Sequence, residues 1–275
     1  MFRLPPVAFA LSLLVQSAWA QTQSAPAAAA PEPAAKPAVK KPAAMPKTST
    51  NPAGPADSGP CQVGVISEMS DRFVVQTVGF TVFGNERSEV PIDGWGLDDL
   101  VVARVRAAAG PGVSVRRIAH AKDAFAQRDQ SGSFFRDMKS ELSNAVRQVA
   151  SGSNCRRYVL VHSSSSRFSN LNQSVRGVGI VSWAHRTLLF ALSYIWIYDG
   201  QSFEVIKQGA ATTNDESLVS QALMLNPIRG PNRELDRSAF PSTPAEAATR
   251  LALRDGVRAL LTTSLDNTLP AMLRQ

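Results

Sequence analysis

The sequence predicts an α/β (α+β) domain on a mixed sheet: a parallel part, a three-strand antiparallel meander, helices packed on the sheet and a long C-terminal helix. Three observations carry this. Between Cys61 and Val161, short β-branched runs alternate with stretches of helical period. Between Val175 and Thr212, three strand-like runs follow one another with little between them. From Thr243, a capped apolar periodicity runs almost to the end of the chain.

Taken in order, Cys61 to Ser67 reads as a first strand. Arg72 to Phe83 reads as a second, with Gly79 as a bulge. Asp93 to Ala109 is a helix, because Leu97, Leu100, Val101, Val105 and Ala108 recur at helical spacing and Gly110-Pro111-Gly112 stops it. Val113 to Ala119 alternates as a third strand. Phe135, Met138, Leu142, Ala145, Val146 and Val149 mark a second helix, and Arg157 to Val161 a short buried strand. The meander is read over Val175–Trp183, Thr187–Tyr198 and Gln201–Thr212, with Asp199-Gly200 as a two-residue hairpin turn. After a looser region from Asn214 to Pro241, Thr243, Pro244 and Glu246 make a capping box for the last helix. Leu188–Tyr198 is too short to span a bilayer and is closed by Asp199, so it reads as a buried strand and the mature chain is expected to have no transmembrane span.

The N-terminal part gives an address. Phe2-Arg3, an apolar run from Val7 to Val15, and Ser17-Ala18-Trp19-Ala20 have the layout of a secretory signal peptide over residues 1–20, with cleavage expected between Ala20 and Gln21. Residues 21–60 are dominated by Ala and Pro and offer little to bury, so they are expected to be a disordered, Pro-rich tether. Residues 61–275 are expected to form one folded exported domain, periplasmic or secreted. No cysteine sits at the cleavage site, so lipidation there is not expected. The formal net charge is +7, part of it carried by Lys36, Lys40, Lys41 and Lys47 in the tether. An excess that mild and scattered argues against nucleic acid and suits acidic surfaces.

Cys61 and Cys155 each precede a predicted strand. If those strands are parallel neighbours, their starts lie side by side and a disulfide is possible in an oxidising compartment. Two free thiols are the alternative. The spacing rules out a CxxC pair, and with no histidine nearby no metal site is expected.

Val63-Gly64-Val65-Ile66, Leu97–Val105, Arg157-Tyr158-Val159-Leu160-Val161 and the hairpin Tyr194–Ile206 together resemble a periplasmic α/β fold. That fold is shared by curli-secretion subunits, the amino-terminal domain of Tol-system propeller proteins and lipoprotein activators of wall synthases. The resemblance covers most of residues 61–275 and implies architecture only. It transfers no functional residue, because these families act through surfaces. The Pro-rich stretch 226–244 departs from their compact pattern.

A search for chemistry finds no G-x-S-x-G, no H-E-x-x-H, no P-loop and no dinucleotide fingerprint. No cofactor is expected. Of the three histidines His120, His162 and His185, the first two end predicted strands, the edge where α/β sheets bind ligands. His162 precedes Ser163-Ser164-Ser165-Ser166, so His162 and Ser163 are candidate catalytic residues, with Asp123 or Asp129 as orienter. Against this stands the plainer reading of a strand end and a polar loop. Asp98 and Asp99 point about 100° apart on a helix and serve different sites. Arg116-Arg117 and Arg156-Arg157 offer Arg116 and Arg156 as candidate binding residues for an acidic partner, with at most half of the four converging. Tyr194, Trp196 and Tyr198 share one face, either core beneath the C-terminal helix or a strip that binds sugar or peptide.

These readings favour a non-enzymatic binding or assembly module for an envelope protein or wall component. A periplasmic hydrolase near His162 and Ser163–Ser166 is one alternative, and a homo-oligomeric envelope assembly subunit another.

Overall fold

The computed structural model describes residues 60–69, 71–79, 84–125, 138–168, 173–213 and 228–274. The expected signal peptide, its cleavage point and nearly all of the tether lie outside the described residues. So do Phe80–Phe83, Asp129, Phe135 and the whole stretch from Asn214 to Pro227.

Among the described residues the strands form two five-stranded mixed sheets and one two-stranded ribbon. The first has the order β11-β10-β5-β1-β4, with β1 (Val63–Glu68), β4 (Val115–Arg117), β5 (Arg157–Ser163), β10 (Ser193–Asp199) and β11 (Val205–Ala210). Here β1 runs parallel to both β4 and β5, while β10 is antiparallel to β5 and to β11. The second has the order β12-β9-β8-β2-β3, with β2 (Arg72–Val78), β3 (Glu86–Pro91), β8 (Val178–Trp183), β9 (Arg186–Ala191) and β12 (Asn232–Leu235). In it only β2 and β8 are parallel. A small ribbon, β6 (Ser165–Arg167) with β7 (Ser174–Arg176), links β5 to β8.

The expected meander is therefore shared between the sheets. Its antiparallel neighbours pair as read, β8 with β9 and β10 with β11. The run Thr187–Tyr198, however, divides at Leu192: its first half lies on β8 and its second on β5. Leu192 holds both sides, since its N–H donates to Gly177 C=O at 2.7 Å and its C=O accepts from Ser164 N–H at 3.1 Å. The turns also differ from the expectation. The two-residue hairpin turn is Ala184-His185, both at positive φ (46° and 69°), as a type I′ turn requires. At Asp199-Gly200 the loop is longer and extends to Glu204. Asp199 Oδ1 accepts from the N–H groups of Gln201 and Ser202, which hold its carboxyl below the usual range.

Helices α1 (Leu97–Ala109) and α4 (Leu251–Leu273) cover one face of both sheets. Strand alternation decides what they meet: Val63 and Val65, Phe73 and Val75, Val159 and Val161, Ile195 and Ile197 all point into this core. The opposite face of the first sheet is covered by α2 (Met138–Val149), which packs Leu142 and Val146 on Ile66, Tyr158, Leu160, Trp196 and Tyr198. This corrects one expectation: Trp196 and Tyr198 of the aromatic row are core beneath α2 and Tyr194 is half-buried beside them, whereas the C-terminal helix takes the isoleucines of the same strand. The other face of the second sheet buries Val74, Val181, Leu188, Phe190 and Ile228.

The last helical region is broken. The short α3 (Pro244–Thr249) ends at Arg250, which is extended (φ −74°, ψ 106°), and α4 starts after it. The expected capping box is altered too. Thr243 makes no side-chain cap, and Glu246 instead accepts from Ser242 N–H and Oγ while pairing with Arg250. These partners hold the Glu246 carboxyl at about 2, with the Ser242 contacts leading. A depressed carboxylate stabilises the fold above its unfolded value and loses that contribution as pH falls through the folded one. Glu246→Gln should therefore lower the denaturation midpoint at neutral pH. The gap to wild type should close as pH falls from 4.5 to about 2, followed by denaturant titrations across that range.

Candidate functional site

The parallel strands β1 and β5 end side by side, Glu68 opposite His162, and the chain leaves that edge in two ways. After β1 it crosses through Met69–Asp71 to start β2 in the second sheet. After β5 it enters the serine run and the β6–β7 ribbon. A cleft of about 420 Å³ lies there, bounded by Ser67, Asp98, His120, Lys122, Ser163 and Arg176 among others. This is the strand edge at which His120 and His162 are expected.

Internal hydrogen bonds hold the cleft. Asp98, in the first turn of α1, accepts from Ser67 Oγ at 2.6 Å and Met69 N–H at 3.3 Å. Asp99 pairs instead with Arg117, so the two adjacent carboxylates serve separate sites, as their helical spacing predicts. His120 Nε2 lies 3.1 Å from Ser67 O and Nδ1 3.1 Å from Ala121 O. Lys122 bridges Asp93 at 2.8 Å and Asp71 at 3.0 Å, which pushes its ammonium up to about 12 and holds the Asp93 carboxyl below its usual range.

His162 lies at the end of β5 but is 7% exposed. Its Nε2 accepts from Trp196 Nε1–H at 2.9 Å, which leaves the ring proton on Nδ1, 2.8 Å from the Ser163 carbonyl. The ring stacks on Tyr194 at 5.9 Å. The imidazole is therefore tied to an aromatic ladder, and Trp196 occupies the nitrogen that a general base would use. Ser163 is buried and lines the cleft. Asp123 is exposed, and Asp129 lies outside the described residues.

The strands that carry the two arginine pairs are not neighbours. Strand β1 separates β4 from β5, and Arg116 and Tyr158 flank Gly64 in register. Arg116 donates to Ser153 C=O at 3.3 Å, whereas Arg156 is an exposed residue outside the strand.

Cys61 and Cys155 form a disulfide, with Cα atoms 4.5 Å apart, joining the lead-ins of the parallel neighbours β1 and β5. Tyr158 closes over it. Its hydroxyl accepts from Cys155 N–H at 3.1 Å, and its ring leaves no room at Gly64, where a Cβ would lie 2.6 Å from Cδ1. Sequence patterns did not reveal the Trp196–His162 bond, because it joins strands 34 residues apart; the shared period of β5 and β10 was its only trace.

No protein-family model matches the sequence, and comparison with curated proteins finds no match. Solved structures similar to this chain include protein XCC0632 from Xanthomonas campestris, at 7% identity and TM-score 0.34 over 78% of this chain and 81% of that one. Lipoprotein GNA1162 from Neisseria meningitidis is similar at 11% identity and TM-score 0.29, over 60% of this chain and 92% of that one. The LpoB C-terminal domain from Salmonella enterica is similar at 12% identity and TM-score 0.21, over 56% and 84%. Each of these likenesses is weak.

Proposed function

We propose that this chain is an exported cell-envelope protein whose domain, residues 61–275, acts by binding as an assembly module for a protein or wall-component partner. Residues 1–20 direct export, periplasmic or beyond, and residues 21–60 hold the domain at reach. The observation that carries the non-catalytic reading is the state of His162: one ring nitrogen accepts from buried Trp196 and the other faces the Ser163 carbonyl. A general base needs a free nitrogen within reach of its nucleophile, and this ring spends both on the fold. No helix of the described residues is long and apolar enough to cross a membrane, in keeping with a domain outside the bilayer.

Catalysis at Ser163 is the competing reading, and turnover separates the two. Across ester, amide and glycoside substrates, the mature chain and its Ser163→Ala variant should give the same background rate. A loss of turnover on that substitution, which removes the candidate nucleophile, would overturn the binding reading.

A further inference from the structure

Each five-stranded sheet has two outer strands, and three of these four are guarded by their side chains. Strand β4 carries Arg116 and Arg117, β3 carries Glu86, Arg87, Glu89 and Pro91, and β12 carries Arg233 and Glu234. Charge and proline on an outer strand discourage pairing with another chain. The fourth, β11, reads Val205-Ile206-Lys207-Gln208-Gly209-Ala210 and has one charged residue. That lysine is engaged at the end of α4, where Nζ donates to the carbonyls of Arg274 at 2.6 Å and Ala271 at 3.2 Å. Ile206, 45% exposed, adds a large apolar side chain to the same strand.

The backbone of this edge is open in a definite pattern. Ala211 N–H donates to Ser193 C=O at 3.0 Å, and Gly209 pairs with Ile195. Peptide groups alternate along an antiparallel strand, so those of Gly209 face β10 and those of Gln208 and Ala210 face outward. The next outward amide, Thr212 N–H, is met by Thr268 Oγ1 of α4 at 3.0 Å. Beyond Gln208 and Ala210 no strand lies among the described residues, and both are exposed.

The strand is complementary to itself. Two copies of β11 laid antiparallel about a twofold axis at Gln208 set Gln208 opposite Gln208 and Ile206 opposite Ala210. The outward peptide groups are then the ones that exchange hydrogen bonds. The same register sets Lys207 of each copy opposite Gly209 of the other, in the kind of pair where side chains lie closest. Gly209 leaves room there, since a Cβ built on it would meet nothing within 4 Å. Moving the axis to Lys207 would set the two lysines against each other, which is unfavourable.

We propose that two copies of this chain pair through the β11 edge, antiparallel about Gln208, so that their first sheets continue as one. A contact built on one short strand per copy is small, so the dimer is weak and depends on concentration. The inference stands apart from the envelope-binding reading, because a monomer can hold a partner and a dimer can lack one.

The test is sedimentation of the whole mature chain over a series of micromolar concentrations, with variants at positions that one copy leaves unused. The wild-type chain should show a reversible monomer–dimer equilibrium. Gln208→Pro removes one outward N–H from each copy and should weaken the dimer about tenfold or more. Its unfolding midpoint as a monomer should stay close to wild type, because an outer strand tolerates proline where the N–H faces solvent. Gly209→Lys should weaken the dimer several-fold and Gly209→Glu should tighten it several-fold, because they place like or opposite charge against Lys207. A chain that is monomeric throughout, a dimer indifferent to Gln208→Pro, or a shift in the same direction from both Gly209 variants would overturn the inference. Crosslinks to an envelope partner on a monomeric chain would sink this inference alone. A dimer that responds to the variants but joins no partner would leave it standing and count against the binding reading.

Discussion

Replacing Cys61 and Cys155 together by serine should lower the stability of the domain by about 4–5 kcal/mol, the cost of freeing a loop of nearly a hundred residues in the unfolded chain. The bridge closes 94 residues, and no helix or turn could hold its two ends together as directly. It sets the register of β1 on β5, the parallel pair on which the first sheet is built. Parallel strands come together only through long connections, so they gain most from a constraint at their starts. Both cysteines are buried, at 7% and 4% exposure, so serine also places two hydroxyls where few partners exist. Urea unfolding of the oxidised protein and the double variant measures the effect. A loss below about 1 kcal/mol would contradict the role given to the bridge, since the loop-closure argument then fails.

The second large effect is expected at Trp196. Trp196→Ala should cost about 3–5 kcal/mol, as for other large aromatics truncated in a core. It sits between Tyr194 and Tyr198, with ring centroids at 5.4 Å and 6.2 Å, and packs beneath α2. Trp196→Phe should cost less, about 1–3 kcal/mol, because it keeps a ring but removes the donor from His162 Nε2. Denaturant midpoints of the two variants separate packing from the hydrogen bond. A Phe variant as stable as wild type would mean that the Trp196–His162 bond does not position the imidazole.

How far the sequence disclosed this arrangement depends on what each residue spends its chemistry on. The buried strands β1, β5 and β10 were legible because Val63-Gly64-Val65-Ile66, Tyr158–Val161 and Ile195–Tyr198 are β-branched and aromatic on both faces. The strands β3 (Glu86–Pro91) and β12 (Asn232–Leu235) were not read, since they are sheet edges and carry charge where an inner strand carries valine. The Ala184-His185 turn was missed for a related reason: neither residue favours positive φ, and tertiary pairing of β8 with β9 imposes it. The division of Thr187–Tyr198 between two sheets has no local signal, because Leu192 is as apolar as its neighbours. At the candidate site, the sequence placed His162 and Ser163 at a strand end but not the Trp196 donor, which depends on the pairing of β5 with β10.

Chemical crosslinking of the mature protein in its native envelope, followed by mass spectrometry of what is attached, tests the binding reading most directly. The account predicts a reproducible envelope partner, with crosslinks mapping to residues 61–275. Crosslinks only between copies of this chain would make it a self-assembling subunit, and no crosslink at all, in a protein that turns over substrate through Ser163, would contradict the account.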